Sequence, residues 1–274
     1  MRITFFGSGA GTATPGRAGT SILVQSRNHA LLLDCGPRAI DRLIDSRIAP
    51  DSIGSIVITH LHPDHALGLP AFIQAAMFPE NKVPRIFGPP GTAAFVKDTS
   101  LMLSHISSPA NAPWGVPQEL AVSEVVGGEG WQAPGFTVRA EVVHHVPYLV
   151  ALAYRVTTSE GKVVFSGDTT PLPDVMTPLA EGADVLIHEC WSTGGLDRWL
   201  AGADPRRAAA IRKAFRETHS EVKAVARIAA DAGVKRLVLT HLNEGELAHE
   251  LVAEAARTFR GEIVIAEDRL SLEV

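Results

Sequence analysis

Only two cysteines, Cys35 and Cys190, occur among the 274 residues, so no disulfide framework holds the chain and its stability must come from a packed core. Long apolar runs are missing too: none approaches the roughly 18–20 residues that a membrane helix needs. The opening Arg2-Ile3-Thr4-Phe5-Phe6 lacks the charged start and long apolar stretch of a secretion signal. A soluble, cytoplasmic protein with no membrane partner is expected. Positive charge is not in excess, since 25 Lys and Arg face 30 Asp and Glu, a formal net charge of −5 and a pI near 6.1. Nucleic acid is then an unfavoured partner, because affinity for a polyanion rests largely on phosphate neutralisation by Lys and Arg. Gly (24) and Pro (18) stay below the low-complexity range, and with 46% hydrophobic and 20% charged residues the composition excludes disorder, collagen and coiled coil. The length allows one large or two small domains. No Gly-, Pro- or Ser-rich linker divides the chain, so one domain over 1–274 is expected.

What is present is a succession of short β-rich runs and helical stretches. The runs 2–6, 21–25, 30–34 and 55–59 are separated by Gly, Pro and Asn/Asp punctuation and read as strands. Helical patterns follow at 38–46 and 70–78, then the Pro- and Ser-rich passage 107–118, which has no period and reads as a loop or lid. The second half repeats the style, with strands at 136–143, 152–157, 162–166, 185–188 and 236–239 and helices at 222–232 and 245–258. Two such halves suggest an α/β fold with two sheets sandwiched between helix layers.

Chemistry concentrates in Thr59-His60-Leu61-His62-Pro63-Asp64-His65, directly after the apolar Ile56-Val57-Ile58. Core histidines usually occur singly, and a solvated loop has no need of three imidazoles and a carboxylate. Imidazole and carboxylate together suit zinc or a similar first-row ion. Asp34-Cys35-Gly36, His144-His145, Ser166-Gly167-Asp168-Thr169 and Leu239-Thr240-His241 each close a further strand-like run.

This H-x-H-x-D-H string, with the other four signposts in order, resembles the metallo-β-lactamase superfamily over nearly the whole chain. The resemblance is nearest to its ribonuclease Z, arylsulfatase-like and phosphodiesterase-like branch. It implies a four-layer αββα sandwich of two mixed sheets flanked by helices, holding two Zn²⁺, with Mn²⁺ or Fe also acceptable to such ligands. It assigns the first metal to His60, His62 and His145, the second to Asp64, His65 and His241, and the bridge to Asp168. Either His144 or His145 could fill the third position; the A-x-x-(L/V)-x-H pattern over Ala140, Val143 and His145 selects His145. Asp64, Glu189 and His219 are the implied catalytic residues, Glu189 hydrogen-bonding His219 so that His219 protonates the leaving oxygen. His188 reads as an imidazole packed at a strand end. The T-x-x-E spacing of Thr218 and Glu221 suggests a capping box that places His219 in the first turn of a helix. Two cations sharing a water would lower its pKa towards roughly 7 and supply hydroxide for hydrolysis at neutral pH.

The expected substrate is a small-molecule ester, phosphodiesters before lactones and sulfate esters. Ribonuclease Z-like cleavage at a tRNA 3′ end is the alternative, and a metal-binding, catalytically silent sensor or scaffold is the alternative of another class. The short interval from His145 to Asp168 leaves no room for the basic arm that tRNA-processing enzymes often carry there, and Leu242-Asn243-Glu244-Gly245-Glu246 departs from their S-x-R-Y-like continuation. A homodimer is left open. Passages 107–118 and 191–203, with Trp114, Trp191 and Trp199, are expected to wall the pocket, with His105 beside the first. Gly7-Ser8-Gly9-Ala10-Gly11-Thr12 reads as a tight turn rather than a dinucleotide loop, since the third glycine is replaced and no helix pattern follows.

Overall fold

The computed structural model describes residues 1–12, 14–76, 83–107 and 120–274. Passage 107–118, apart from its first residue, and with it Trp114, lies outside the described residues.

Strands β1 (Arg2–Gly7), β2 (Ser21–Ser26), β3 (His29–Leu33), β4 (Ser55–Val57), β5 (Arg85–Gly88) and β6 (Val122–Glu124) belong to one sheet; β7 (Gly130–Ala133), β8 (Phe136–Val143), β9 (Ala151–Thr157), β10 (Lys162–Phe165), β11 (Val185–Glu189), β12 (Arg236–Thr240) and β13 (Glu262–Ile265) form the other. The last strand, β14 (Ser271–Glu273), returns to the first sheet, which runs β14-β1-β2-β3-β4-β5-β6; the second runs β13-β12-β11-β10-β9-β8-β7. Each sheet is antiparallel at one side and parallel at the other: β3 to β6 are parallel in the first, β10 to β13 in the second. Helices are α1 (Ala39–Asp45), α2 (Pro63–Ala66), α3 (Leu69–Ala76), α4 (Thr92–Ser107), α5 (Pro173–Ala180), α6 (Thr193–Trp199), α7 (Pro205–Thr218), α8 (Val222–Asp231) and α9 (Ala248–Ala255). Among the described residues no helix is long and apolar enough to cross a membrane.

Period-2 side-chain alternation explains the layers. In β3, Leu31 and Leu33 enter the core between the sheets, while Leu32 joins Leu43, Phe72 and Ile73 under α1 and α3. In β10, Val163 and Phe165 face the first sheet, and Val164 packs with Met176, Val225 and Leu251 under α5, α8 and α9. The result is the αββα sandwich of two mixed sheets expected from the sequence. Short strands β5, β6 and β7, with three or four residues each, carry too little pattern to be read locally. Helix α7 escapes for a related reason: of its 14 residues only Ala208 is buried, and its apolar stripe of Ala208, Ile211 and Phe215 is thin. Passage 191–203 is not an extended loop, since α6 occupies its middle.

The functional side chains sit where strands end. Parallel strands in each sheet point their C-terminal ends the same way, so the segments leaving β3, β4, β10, β11 and β12 meet at one rim, the general position for ligands in open α/β sheets. Several of these segments turn abruptly. Asp34 (φ 58°), Gly167 (φ 56°) and His241 (φ 60°) all adopt left-handed backbone, which is unusual for the two non-glycine residues and occurs typically where a site demands it.

Candidate metal centre

The loop after β4 leaves the sheet at Ile58 and enters α2 at Pro63, whose ring suits a first helical position. This delivers His60, His62, Asp64 and His65 into a space roofed by glycines. A Cβ on Gly36 would overlap the Asp64 carbonyl oxygen, and one on Gly68 would overlap the Gly36 carbonyl, so only glycine lets these backbones approach.

Two groups of donor atoms share one carboxylate, and a third, of Glu189, His219 and His241, adjoins them. His60, His62, His145 and Asp168 form the first; Asp64, His65, Asp168 and His241 form the second. In the first, His62 Nδ1 lies 3.0 Å from His60 Nε2 and 3.1 Å from His145 Nε2, and Asp168 Oδ2 is 3.9 Å from each of those Nε2 atoms. In the second, His241 Nε2 lies 3.2 Å from both Asp64 Oδ2 and Asp168 Oδ2, while His65 Nε2 is 3.3 Å from Asp168 Oδ1 and 3.4 Å from Asp64 Oδ2. His144 is exposed and stands outside both groups; its carbonyl accepts a hydrogen bond from Thr170 N.

Outer partners orient the rings. His145 Nδ1 donates to the Thr218 carbonyl (2.8 Å), and His65 Nδ1 donates to Asp34 Oδ2 (2.7 Å). Thr59 Oγ1 donates to Asp34 Oδ2 (2.9 Å) and can accept from His60 Nδ1 (3.0 Å). With Nδ1 protonated, each ring turns a bare Nε2 lone pair inward, towards other lone pairs and carboxylate oxygens. Such an array is repulsive unless a cation lies among the donors. His65 Nε2 and Asp168 Oδ1 are buried without a hydrogen-bond partner among the described residues, which marks the same point. Donors about 3.3 Å apart are also what four ligands at roughly 2.0–2.1 Å from one ion require. The residues present therefore fit divalent cations.

Electrostatics agree for the first group. Burial, assisted by neighbouring imidazoles, pushes His60, His62 and His145 below the ordinary histidine range, keeping them neutral and able to ligate. Burial also acts to lower His65, but Asp168, Asp64 and Asp34 overcome it and raise the group well above its usual value. Burial opposes ionisation of Asp64 and Asp168, yet the surrounding histidines hold both carboxylates well below their normal range.

Asp34 is the residue whose role sequence reasoning missed, having read it only as a motif signpost. Fully buried, it accepts from Thr59 N (2.7 Å), Thr59 Oγ1 and His65 Nδ1, and so joins the β3 end to the β4 loop. Asp34→Ala is expected to weaken metal binding by about 10–100-fold, the usual effect of removing an outer partner of a ligand. It should also cost roughly 1–3 kcal/mol of stability by stranding buried donors. Metal titration and thermal unfolding measure the two, and unchanged metal affinity would confine Asp34 to a folding role.

Beside the second group, buried Glu189 at the end of β11 faces His219. Its Oε1 and Oε2 accept from His219 Nδ1 at 3.0 and 3.1 Å, and Oε1 also accepts from Thr169 N. The His219 ring lies 4.8 Å from that of His145 and 5.6 Å from that of His241. Burial acts to lower its pKa, but Glu189 prevails and raises it to about 9. The capping box expected around it does not form. α7 runs on to Thr218, whose Oγ1 donates back to Ala214 O, and α8 starts only at Val222. His219 (φ −134°, ψ 164°) therefore lies in an extended link, pinned by Trp191 N donating to Ser220 O and Val222 N donating to Trp191 O. His188 is buried, with Nδ1 donating to the Glu189 carbonyl.

Residues 1–197 match the family described as Anti-Pycsar protein Apyc1. Over its full length the chain is 31% identical to a protein named Ribonuclease Z from Mycobacterium sp. (strain KMS), covering 96% of it, and 30% identical to a Ribonuclease Z from Mycobacterium tuberculosis (strain H37Rv), covering 98%. The chain belongs to the Apyc1 family and to the ribonuclease Z-like branch of the metallo-β-lactamase superfamily. Its fold is shared with the metallo-β-lactamase fold protein YhfI from Bacillus subtilis (TM-score 0.76, 22% identity, 99% of both chains). The short form of human tRNase Z shares it as well (TM-score 0.73, 24% identity, 100% of this chain and 99% of that one).

As a member of this superfamily the protein is a metal-dependent hydrolase. One expectation is overturned here. The acidic balance was read as disfavouring nucleic acid and pointing to a small-molecule partner, yet the full-length relatives bear the name of an enzyme acting on RNA. Net charge is summed over the whole surface, whereas a nucleic-acid path needs only local positive potential, which composition does not report.

Proposed function

We propose that this ribonuclease Z-like protein hydrolyses phosphodiesters, with two zinc ions held by His60, His62, His145 and Asp168 on one side and Asp64, His65, Asp168 and His241 on the other. One observation carries the reading: two donor groups share Asp168, and a carboxylate-held imidazole stands immediately beside them. When bound, the ions supply an acidified water and positive charge to offset that developing on the reacting phosphoryl oxygens.

The chain's own groups do the rest. Asp34, Thr59 and the Thr218 carbonyl hold the Nδ1–H of His65, His60 and His145, so that each turns Nε2 inward. Glu189 holds His219 Nδ1–H, which orients the ring and favours its protonated form, leaving Nε2–H as the proton donated to the departing alkoxide. Asp168 and Asp64 help keep that imidazole charged.

Small phosphodiesters are the simplest substrates that meet this chemistry; lactones and sulfate esters come next. A tRNA 3′ end is the second reading, favoured by the name shared by the full-length relatives. Metal-loaded protein assayed on bis(p-nitrophenyl) phosphate, p-nitrophenyl sulfate, a γ-lactone and a precursor tRNA tests both. Turnover of the phosphodiester above the sulfate and lactone is expected. Endonucleolytic release of a tRNA trailer with a higher kcat/KM than the small diester would assign the second reading, and hydrolysis confined to the lactone or sulfate would overturn the proposal.

A further inference from the structure

A cavity of about 360 Å³ opens beside His219, walled by Trp191 and Leu196 and carrying Asp197, Arg212, Arg216 and Glu221. That volume lies within the roughly 300–1,000 Å³ of small-molecule sites, room for an aryl- or nucleoside-sized group. The cavity follows from the packing of α7. Phe215 meets the rings of Trp191 (6.2 Å) and Trp199 (5.9 Å), seating the last turns of the helix over the end of β11. Arg212 and Arg216, four residues apart, then share the helix face that leads to His219 three residues later.

The charges lining this space are not all committed. Asp197 is taken by Arg212, whose Nη2 lies 2.7 Å from Oδ1. Glu221 accepts from Thr193 Oγ1 (3.2 Å) and Lys223 Nζ (3.4 Å). Arg216, in the last turn of α7, makes no ion pair or side-chain hydrogen bond among the described residues. A guanidinium with no carboxylate partner, in the wall of a cavity that also holds the proposed leaving-group acid, is a ready acceptor for an anion.

We propose that this cavity receives the departing alcohol of the substrate, and that Arg216 selects alcohols carrying an anionic group, a carboxylate or a further phosphate. Trp191 and Leu196 supply the apolar wall for the part between that group and the scissile oxygen. The inference rests on His219 being the leaving-group acid, and it is tested first by binding, independently of turnover.

Isothermal titration of the metal-loaded protein with 4-hydroxybenzoate and with 4-hydroxybenzamide should show the carboxylate bound about 10-fold tighter. That preference should vanish in Arg216→Ala and persist in part in Arg216→Lys. No preference in the wild type, or one that survives Arg216→Ala through contact with the metal ions, would overturn the assignment. In turnover, Arg216→Ala should raise KM about 10-fold for methyl 4-carboxyphenyl phosphate and leave methyl 4-carbamoylphenyl phosphate within twofold, with kcat for both little changed. Equal losses on the two diesters would give Arg216 a structural role instead. If the wild type cleaves neither diester while the binding preference holds, phosphodiester hydrolysis is the reading that fails and the anion site stands. Dinucleotides with and without a phosphate on the departing nucleoside distinguish a nucleotide phosphate from a carboxylate as the group that Arg216 meets.

Discussion

Asp168→Ala is expected to lower kcat/KM by roughly 10³-fold or more and to remove at least one equivalent of bound metal. Asp168 is 2% exposed, and its oxygens reach donor atoms of both groups: Oδ1 lies 3.3 Å from His65 Nε2, Oδ2 3.2 Å from His241 Nε2 and 3.9 Å from His60 and His145 Nε2. Among the described residues no other belongs to both of these donor groups. Its loss would take one negative donor from each, and with it the charge balance that the two proposed cations need to lie close together. Metal assistance is worth several kcal/mol of transition-state stabilisation, hence the expected magnitude. Folding is a separate matter. Asp168 is a buried carboxylate held ionised by the imidazoles around it, so the metal-free variant should unfold below the wild-type temperature, and the rise in Tm on adding zinc should largely disappear. Elemental analysis, thermal unfolding with and without zinc, and steady-state kinetics test these three statements. Wild-type turnover and full metal content in Asp168→Ala would remove the shared-ligand role.

His219→Ala should behave in the opposite way, with metal content intact and turnover impaired. The geometry separates this histidine from the ligands. Its Nδ1 is engaged by Glu189 rather than turned towards Asp168, and the two donor groups that share Asp168 are complete without it. The expected loss is roughly 10²–10⁴ on diesters with poor leaving groups, the range for general acid catalysis. Nitrophenolate departs with little need of a proton, so nitrophenyl diesters should lose far less. Glu189→Gln should follow the same pattern more weakly, because an amide oxygen can still accept from Nδ1–H but no longer favours the imidazolium. Equal losses on good and poor leaving groups would make His219 a substrate-positioning residue, and loss of metal would place it among the ligands.

How much of this was readable in advance differs from element to element. The H-x-H-x-D-H loop was conspicuous because four metal-competent side chains in six residues have no structural purpose on a strand-end loop. The choice between His144 and His145 was open on spacing alone; the structure turns one ring outward and brings the other within 3.1 Å of His62. β8 decides this: Val143 at its end is buried, His144 emerges to solvent, and His145 turns back in. The capping reading of Thr218 failed for a different reason. A four-residue motif cannot tell a helix that is starting from one that has not yet stopped, and the thin apolar stripe of α7, Ala208, Ile211 and Phe215, did not announce it upstream.

Sequence alone determined the chemistry on offer and the layered architecture, because both are written locally: ligand types in tight spacing, and apolar residues in period 2 or along helical stripes. It equally determined that the chain needs its core, having no disulfide to lean on. Tertiary structure alone decided which distant residues become partners. Asp34 and His65 meet 31 positions apart, Glu189 and His219 meet 30 apart, and His241 reaches Asp64 across 177. These pairings arise because parallel strands deliver their C-terminal ends to a common rim, where the link between α7 and α8 also brings His219, an arrangement that no local window contains. Arg216, without an ion-pair partner among the described residues, belongs to the same class. As a sequence letter it is one of 25 basic residues, and only the seating of α7 against Trp191 and Trp199 places it in the wall of a cavity beside His219.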